Sequence, residues 1–424
     1  MNAPERLAAP RAPRASIAIN NLRAAVVVFV VAAHSIIAYL WSLPPRPFAF
    51  DTPPFSWRTF PIVDTHHFIG FDILCAWADL FLMALFFLMS GLFVWQSLER
   101  NGAFDFAYRR ALRLGPPFVF GIAVLMPLTN YPTYMQTAAH PGLADFWLHW
   151  RALPFWPAGP NWFLWVLLVA DISTALFFAL LPRGHRIVLE LSRTAREHPA
   201  RFLAGLLAAS TLAYVPFGIL FGPMSWFQWG PFSFQLSFPG LYAVYFSAGI
   251  IIGACGVEES LLTRSLARQW KLWLAAAPLL FGAWLGASAM TYGNPAATSL
   301  AWNLVNAIAL PPACFASCCC ALALAMRFAR ARTRLLDSLQ RNAYGIYLLH
   351  YFVVAWLQFA LLPADWPAIV KASIVFAGTM AFSWALSSAL RRVPGLDSVI
   401  GTGRPAPVSA VMAIDSRSAV SVAD

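Results

Sequence analysis

The chain has 424 residues, 60% hydrophobic and only 11% charged, against about 25% charged in an ordinary soluble protein. This balance excludes a soluble globular or disordered protein, and unbroken apolar runs point to membrane helices rather than the alternating strands of a barrel. The formal net charge of +11 would suit a nucleic-acid binder, but the basic residues follow membrane sidedness, so no nucleic-acid partner is expected.

Residues 1–16 form a polar, basic tail of small residues, expected to be disordered. Ten hydrophobic segments of spanning length follow, at 22–42, 72–96, 114–128, 161–182, 202–221, 238–255, 272–290, 299–326, 343–362 and 368–390. They predict an all-α polytopic membrane protein of about ten transmembrane helices. The first run leads into Trp41-Ser42-Leu43-Pro44-Pro45, with no small-x-small cleavage site, so it reads as a retained anchor. Two proline pairs fall within spans: Pro116-Pro117, which should disturb the third helix, and Pro311-Pro312, which should kink the eighth. The loops at 43–71 and 129–160 are rich in Pro, Trp and Phe and read as ordered lids. Residues 393–424 form a second tail expected to be disordered, leaving 17–392 as the transmembrane domain.

With both termini in the cytosol, all but four of the 29 Lys and Arg residues fall on the cytosolic side; Arg46, Arg58, Arg151 and Lys371 are the exceptions. That asymmetry supports both the count and the direction. The six cysteines lie in or beside apolar runs without the spacing of a zinc site. They read as small packing residues, and no metal is expected.

An ionisable group in hydrocarbon costs several kcal/mol and marks a candidate functional site. Arg23 and His34 share the first span with ten residues between them, placing the imidazole roughly 16 Å along the helix, near mid-membrane if Arg23 stands at the cytosolic edge. Imidazole changes charge near neutral pH and suits a general base; a packed, hydrogen-bonded histidine is the alternative. Arg110 and Arg113 are three apart and share a helix face, and guanidinium forks suit phosphate oxygens; ordinary positive-inside anchoring is the alternative. Ser90 beside Gly91 is a close-packing position, Trp162 an aromatic-belt residue, and His350 a second polar residue inside a span. His66 and His67 sit between Asp64 and Asp72 in an outer loop. These five are carried as candidate acceptor or cavity residues. No Walker motif, dinucleotide fingerprint or Gly-x-Ser-x-Gly elbow is present.

Taken together these pieces resemble the integral-membrane acyltransferase 3 family. The resemblance spans about residues 17–390 and rests on Asn21-Leu22-Arg23 with His34, Phe86-Phe87-Leu88-Met89-Ser90-Gly91, Arg110-Ala111-Leu112-Arg113-Leu114-Gly115-Pro116-Pro117, Asn161-Trp162-Phe163-Leu164, and Tyr344-Gly345-Ile346-Tyr347-Leu348-Leu349-His350, in that order. It implies transfer of an acyl group, acetyl or succinyl, from cytosolic acyl-CoA to a hydroxyl of a cell-envelope carbohydrate, in a bacterial cytoplasmic membrane. It further implies His34 as the catalytic residue and Arg23, Arg110 and Arg113 as donor-binding residues. Many members carry an acidic residue three before the first-span arginine; here that position is Asn20, so Arg23 is expected to be freer to meet phosphate. The rival reading from another class is a transporter or flippase for a glycan or lipid-linked precursor. The absence of an internal repeat and the basic Arg-x-x-Arg mouth argue against it.

Overall fold

A computed structural model describes residues 14–393, apart from 182, 258, 259, 261 and 293–298. Both tails lie outside the described residues, save for 14–16, which open the first helix, and Val393. The chain is all-α and polytopic. Among the described residues nine helices are long and apolar enough to cross a membrane, and a tenth, shorter apolar helix covers Pro239–Ala254. The ten apolar runs read from the sequence therefore correspond one to one with helices.

In chain order the helices are α1 (Arg14–Ile36), α2 (Ile69–Gly91), α3 (Val94–Phe120), α4 (Met126–Thr137), α5 (Leu143–Ala152), α6 (Trp162–Leu180), α7 (Gly184–Glu197), α8 (Pro199–Phe221), α9 (Pro239–Ala254), α10 (Trp270–Tyr292), α11 (Leu300–Phe328), α12 (Arg334–Ala360) and α13 (Ala368–Leu390). A two-stranded antiparallel hairpin, β1 (Trp226–Trp229) with β2 (Phe232–Gln235), stands between α8 and α9. The helix starts differ from the sequence reading. α1 begins at Arg14, eight residues ahead of the apolar run that betrayed it, because basic and polar residues continue a helix beyond its apolar stretch. Arg23 is thus about 13 Å inside the helix rather than at its edge, and His34 lies two residues before its end.

α3, a five-residue π-helical stretch at Gly121–Leu125 and α4 join into one continuous helix. It is interrupted near its start at Gly102, where φ is +76°, a conformation open to glycine at little cost. Pro116 and Pro117 do not break it. Pro117 has no N–H to give the carbonyl of Arg113 one turn back; the Tyr344 hydroxyl of α12 donates to that carbonyl at 3.4 Å, and the widened π turn follows. α11 likewise runs unbroken through Pro311 and Pro312.

The helices sort by burial. In α11, 72% of the apolar window is buried inside the protein, against 11% in α8, so α11 belongs to the inner set with α1, α2 and α12 while α8 faces outward. The four cysteines of α11 are all buried. α2 and α9 touch backbone to backbone. A Cβ on Gly249 would run into the carbonyl of Leu88, one on Gly253 into that of Leu92, and one on Gly91 into that of Phe246. This is the small-residue route to close helix approach. It accounts for the Ser90-Gly91 pair, since Gly91 makes the contact and Ser90 flanks it.

α1 and α12 run parallel and are stitched along their length. Near the first turns Asn21 donates to the carbonyls of Ala329 and Ala331 at 2.8 and 3.0 Å and accepts from Gln340. Further along, Gln358 donates to the carbonyls of His34 and Ser35 at 3.0 and 3.2 Å. At the same end Lys371 of α13 is fully buried and meets Asp64 at 2.7 Å. Lys371, counted on the outer side in the sequence, lies within α13 and forms an internal ion pair that holds the 61–68 loop to that helix.

Candidate functional site

The last turn of α1 brings His34 to the wall of a cavity of about 370 Å³. The ring is partly exposed, and its exposure faces this cavity. Nδ1 lies 2.9 Å from the carbonyl of Val30, one turn back on the same helix. A carbonyl only accepts, so this contact places the ring proton on Nδ1 and leaves Nε2 as an unprotonated acceptor. Beside it stands His350 of α12, fully buried, with Nδ1 2.5 Å from the carbonyl of Tyr347 and Nε2 3.3 Å from Nδ1 of His34. Tyr351 packs edge-on against His34 with ring centroids 5.1 Å apart. Position 350 thus sits where the sequence suggested, inside the ninth span, but behind His34 rather than on the cavity wall.

The rest of the cavity comes from α2, the 157–162 segment, the hairpin, the first outer loop and Tyr347 and Tyr351 of α12. Trp162 lines it and packs against Trp226 and Tyr242, each with ring centroids 5.9 Å away. Three charged side chains also reach it, and the sequence reading singled out none of them for the site. Asp72 accepts from the backbone N–H groups of Trp41 and Ser42 at 2.7 and 3.0 Å and so fixes the turn after α1. Arg58 lies over the ring of Phe155 at 4.5 Å and donates to Gln228 at 3.4 Å. Burial pulls its guanidinium below the ordinary value, though arginine remains charged at any physiological pH. Asp79 stands mid-helix in α2 with its carboxylate open to the cavity and within hydrogen-bonding reach of Gln235. The signal for Asp79 was available in the sequence, a carboxylate well inside the apolar run 72–96. The same reasoning applied to Arg23 and His34 finds it.

Three other candidates lie elsewhere. Ser90 sits at the α2–α9 contact, away from the cavity lining. His66 and His67 are also absent from that lining, and their rings are engaged in the loop itself. His66 touches Asp64 at 3.2 Å and Asp365 at 2.9 Å, and His67 Nε2 lies 2.6 Å from the carbonyl of Asp64. Among the described residues no group of three His, Cys, Asp or Glu side chains is placed to hold a metal ion.

The arginines gather at the opposite end of the bundle. Arg23 donates to the carbonyl of Met89 at 3.4 Å and lies over the ring of Phe93 at 5.0 Å. Arg110 and Arg113 of α3 are close enough for their charges to act on it. The carboxylate at hand is Asp171 of α6, fully buried, 3.5 Å from Nε of Arg110. Arg23 has no ion pair among those of the described residues. Three guanidiniums facing one carboxylate leave an excess of positive charge in a partly buried setting, where Coulomb interactions are several times stronger than in water.

The two centres lie at different depths on the same helices. On α2, Met83 lines the cavity and the Met89 carbonyl meets Arg23; on α6, Trp162 lines the cavity and Asp171 meets Arg110; on α12, Tyr347 lines the cavity and Tyr344 reaches Arg113. Between these levels Phe86 and Phe163 pack on each other and on Tyr347, with centroids 5.5, 6.4 and 6.1 Å apart. An aromatic layer thus separates the histidine cavity from the arginine cluster.

No curated protein and no solved structure matches the chain. A family model described as an acyltransferase domain matches residues 16–388. That match takes in α1 with its arginine and histidine, the arginine pair of α3 and nearly all of α13, and the chain therefore belongs to the acyltransferase 3 family.

Proposed function

We propose that this membrane acyltransferase moves an acyl group, acetyl or succinyl, from cytosolic acyl-CoA to a hydroxyl of a cell-envelope carbohydrate, with His34 as general base. The observation that carries this reading is the state of the His34 ring. Its Nδ1 is committed to Val30, so Nε2 is the nitrogen free to take a proton from a group in the cavity. The arginine cluster is a fitting anchor for the donor's phosphates, with Arg110 and Arg113 offering paired donors and Arg23 held ready without a carboxylate of its own. The arginine side then faces the cytosol of a bacterium, and the cavity opens toward the far side of its cytoplasmic membrane.

In this mechanism the donor's long, thin pantetheine arm enters from the arginine side and displaces the aromatic layer of Phe86 and Phe163, bringing its thioester to His34. The acceptor hydroxyl enters through the cavity. Its oxygen attacks the thioester carbonyl carbon as Nε2 of His34 takes its proton. The C–O bond forms, the C–S bond breaks, and the imidazolium returns the proton to the departing thiolate. Asp79, Gln235 and the face of Trp162 offer the acceptors and apolar surface that a polyhydroxylated substrate needs for orientation.

The test is thiol release from acetyl-CoA by purified protein in nanodiscs, comparing wild type with His34→Ala. General-base assistance is worth about 10²–10⁴ in rate, so the variant is expected to lose at least two orders of magnitude while still binding acetyl-CoA. Full activity in that variant would sink the reading.

A further inference from the structure

We infer that His350 is the positioning residue for His34: its Nε2 accepts the Nδ1 proton of His34, so that Nε2 of His34 is the basic nitrogen and the imidazolium formed during transfer is steadied from behind. The inference rests on the general-base reading of His34 and adds a second residue to it.

For two neutral rings the contacts favour one arrangement of protons. His350 Nδ1 lies 2.5 Å from the carbonyl of Tyr347, and a carbonyl has no proton to give, so Nδ1 of His350 is the protonated nitrogen and its Nε2 carries a lone pair. The same argument at Val30, 2.9 Å from Nδ1 of His34, puts the proton of His34 on Nδ1. The remaining contact, Nε2 of His350 to Nδ1 of His34 at 3.3 Å, then has one donor and one acceptor. The Nδ1–H of His34 is shared between the Val30 carbonyl and His350. The opposite assignment would set two lone pairs against carbonyl oxygens, one of them at the fully buried His350, a cost of the kind that buried polar groups avoid.

The surroundings fix both rings. His350 has no exposure to solvent. Its neighbour Tyr347 donates to the carbonyl of Pro160 at 2.5 Å, which holds that turn of α12 against the 159–161 segment. The His34 and His350 rings meet edge-on, with centroids 4.9 Å apart, and Tyr351 closes His34 from another side. A base needs a third group to hold its tautomer and orientation. No carboxylate hydrogen-bonds to His34 among the described contacts, and a neutral imidazole occupies that place. When His34 takes a proton on Nε2, its Nδ1–H becomes a stronger donor, and the lone pair of His350 is already aimed at it. No proton need move between the rings, since Nδ1–H of His350 stays with Tyr347.

The experiment has two arms. In the first, His350→Leu and His350→Gln are compared with wild type for thiol release from acetyl-CoA in nanodiscs. Glutamine places an acceptor oxygen near the position of Nε2 and leucine does not. The expected result is a fall in kcat of about tenfold to a hundredfold for leucine, at or below the lower bound of full general-base assistance, an unchanged KM for acetyl-CoA, and recovery of most of kcat with glutamine. Equal rates for the two variants would show a packing role and overturn the inference. In the second arm, nitrogen NMR of 15N-histidine-labelled protein in lipid bilayers reads the tautomer of His34, its signal identified by its loss in His34→Gln. Protonation on Nδ1 is expected, and an Nε2-protonated His34 overturns the inference. This second arm stands even if acetyl-CoA is not turned over, so failure of the function proposed above is distinguishable from failure of the His350 role.

Discussion

At the scale of single residues, the spacing of Arg23 and His34 was legible because both lie on one helix, where rise per residue converts sequence separation into distance. The residues they meet were not legible. Met89 is 66 positions from Arg23, and His350 is 316 positions from His34; nothing local encodes such pairings. Asp171 was hidden for a different reason: one carboxylate in an apolar run is visible, but its arginine partner lies on another helix. Of the three arginines only Arg110 has an ion pair among the described residues, which gives a residue-level prediction. Arg113 is exposed, and Arg110 leans on Asp171. Arg113→Ala should raise KM for acetyl-CoA about tenfold, the scale of one hydrogen bond to a charged group, and leave kcat within a factor of about two. Michaelis kinetics of thiol release at low and moderate salt would check this, and an unchanged KM would remove Arg113 from the donor site.

Among the elements, apolar runs identified all ten long or shorter apolar helices, because burying backbone in hydrocarbon leaves few alternatives to helix. The ends of those helices were less visible, since Arg14 to Asn21 extend α1 through polar residues. Two helices were missed, α5 in the second outer loop and α7 at the arginine end, as was the β1–β2 hairpin. Each is short and mixed in polarity, so no long apolar run announces it. The third span shows how a helix survives two prolines when a neighbouring hydroxyl supplies what the backbone lost. The α2–α9 contact yields a test at this scale. Gly249→Val drives side-chain carbons into the Leu88 carbonyl and should destabilise the protein by about 1–3 kcal/mol or more, the usual cost of overpacking. Gly282→Ala, where a Cβ meets nothing within 4 Å, is the matched control and should be neutral or slightly stabilising. Thermal unfolding in detergent would compare the two, and equal melting temperatures would refute the close-contact argument.

For the whole molecule, the sequence conveyed class and helix number, but not which helices adjoin. α1 and α12 lie side by side and parallel although some 300 residues separate them, and this pairing is what joins His34 to His350. The aromatic layer between cavity and arginines emerges only when α2, α6 and α12 are brought together. A molecule-wide test addresses the buried ion pair that links the first outer loop to the last helix. Lys371→Met removes the cation and leaves Asp64 buried, which should cost about 3–5 kcal/mol, whereas adding Asp64→Leu should restore much of the loss. Unfolding of the single and double variants in detergent would check both; a double variant no better than the single would argue against an isolated pair.

That ion pair also bears on the order in which the protein is made. Asp64 emerges early in synthesis, and its cation is supplied only when residue 371, in the final helix, arrives. Until then the first outer loop lacks the counter-charge that lets its carboxylate stay buried, and only hydrogen bonds to Gln136 and to the turn after α1 hold it. The latch between Asp64, His66, Asp365 and Lys371 therefore closes last, and a nascent chain released before the final span would present an open, uncompensated loop to the cell's quality-control proteases. Arrival of α13 and fastening of the first outer loop are, in this fold, the same event.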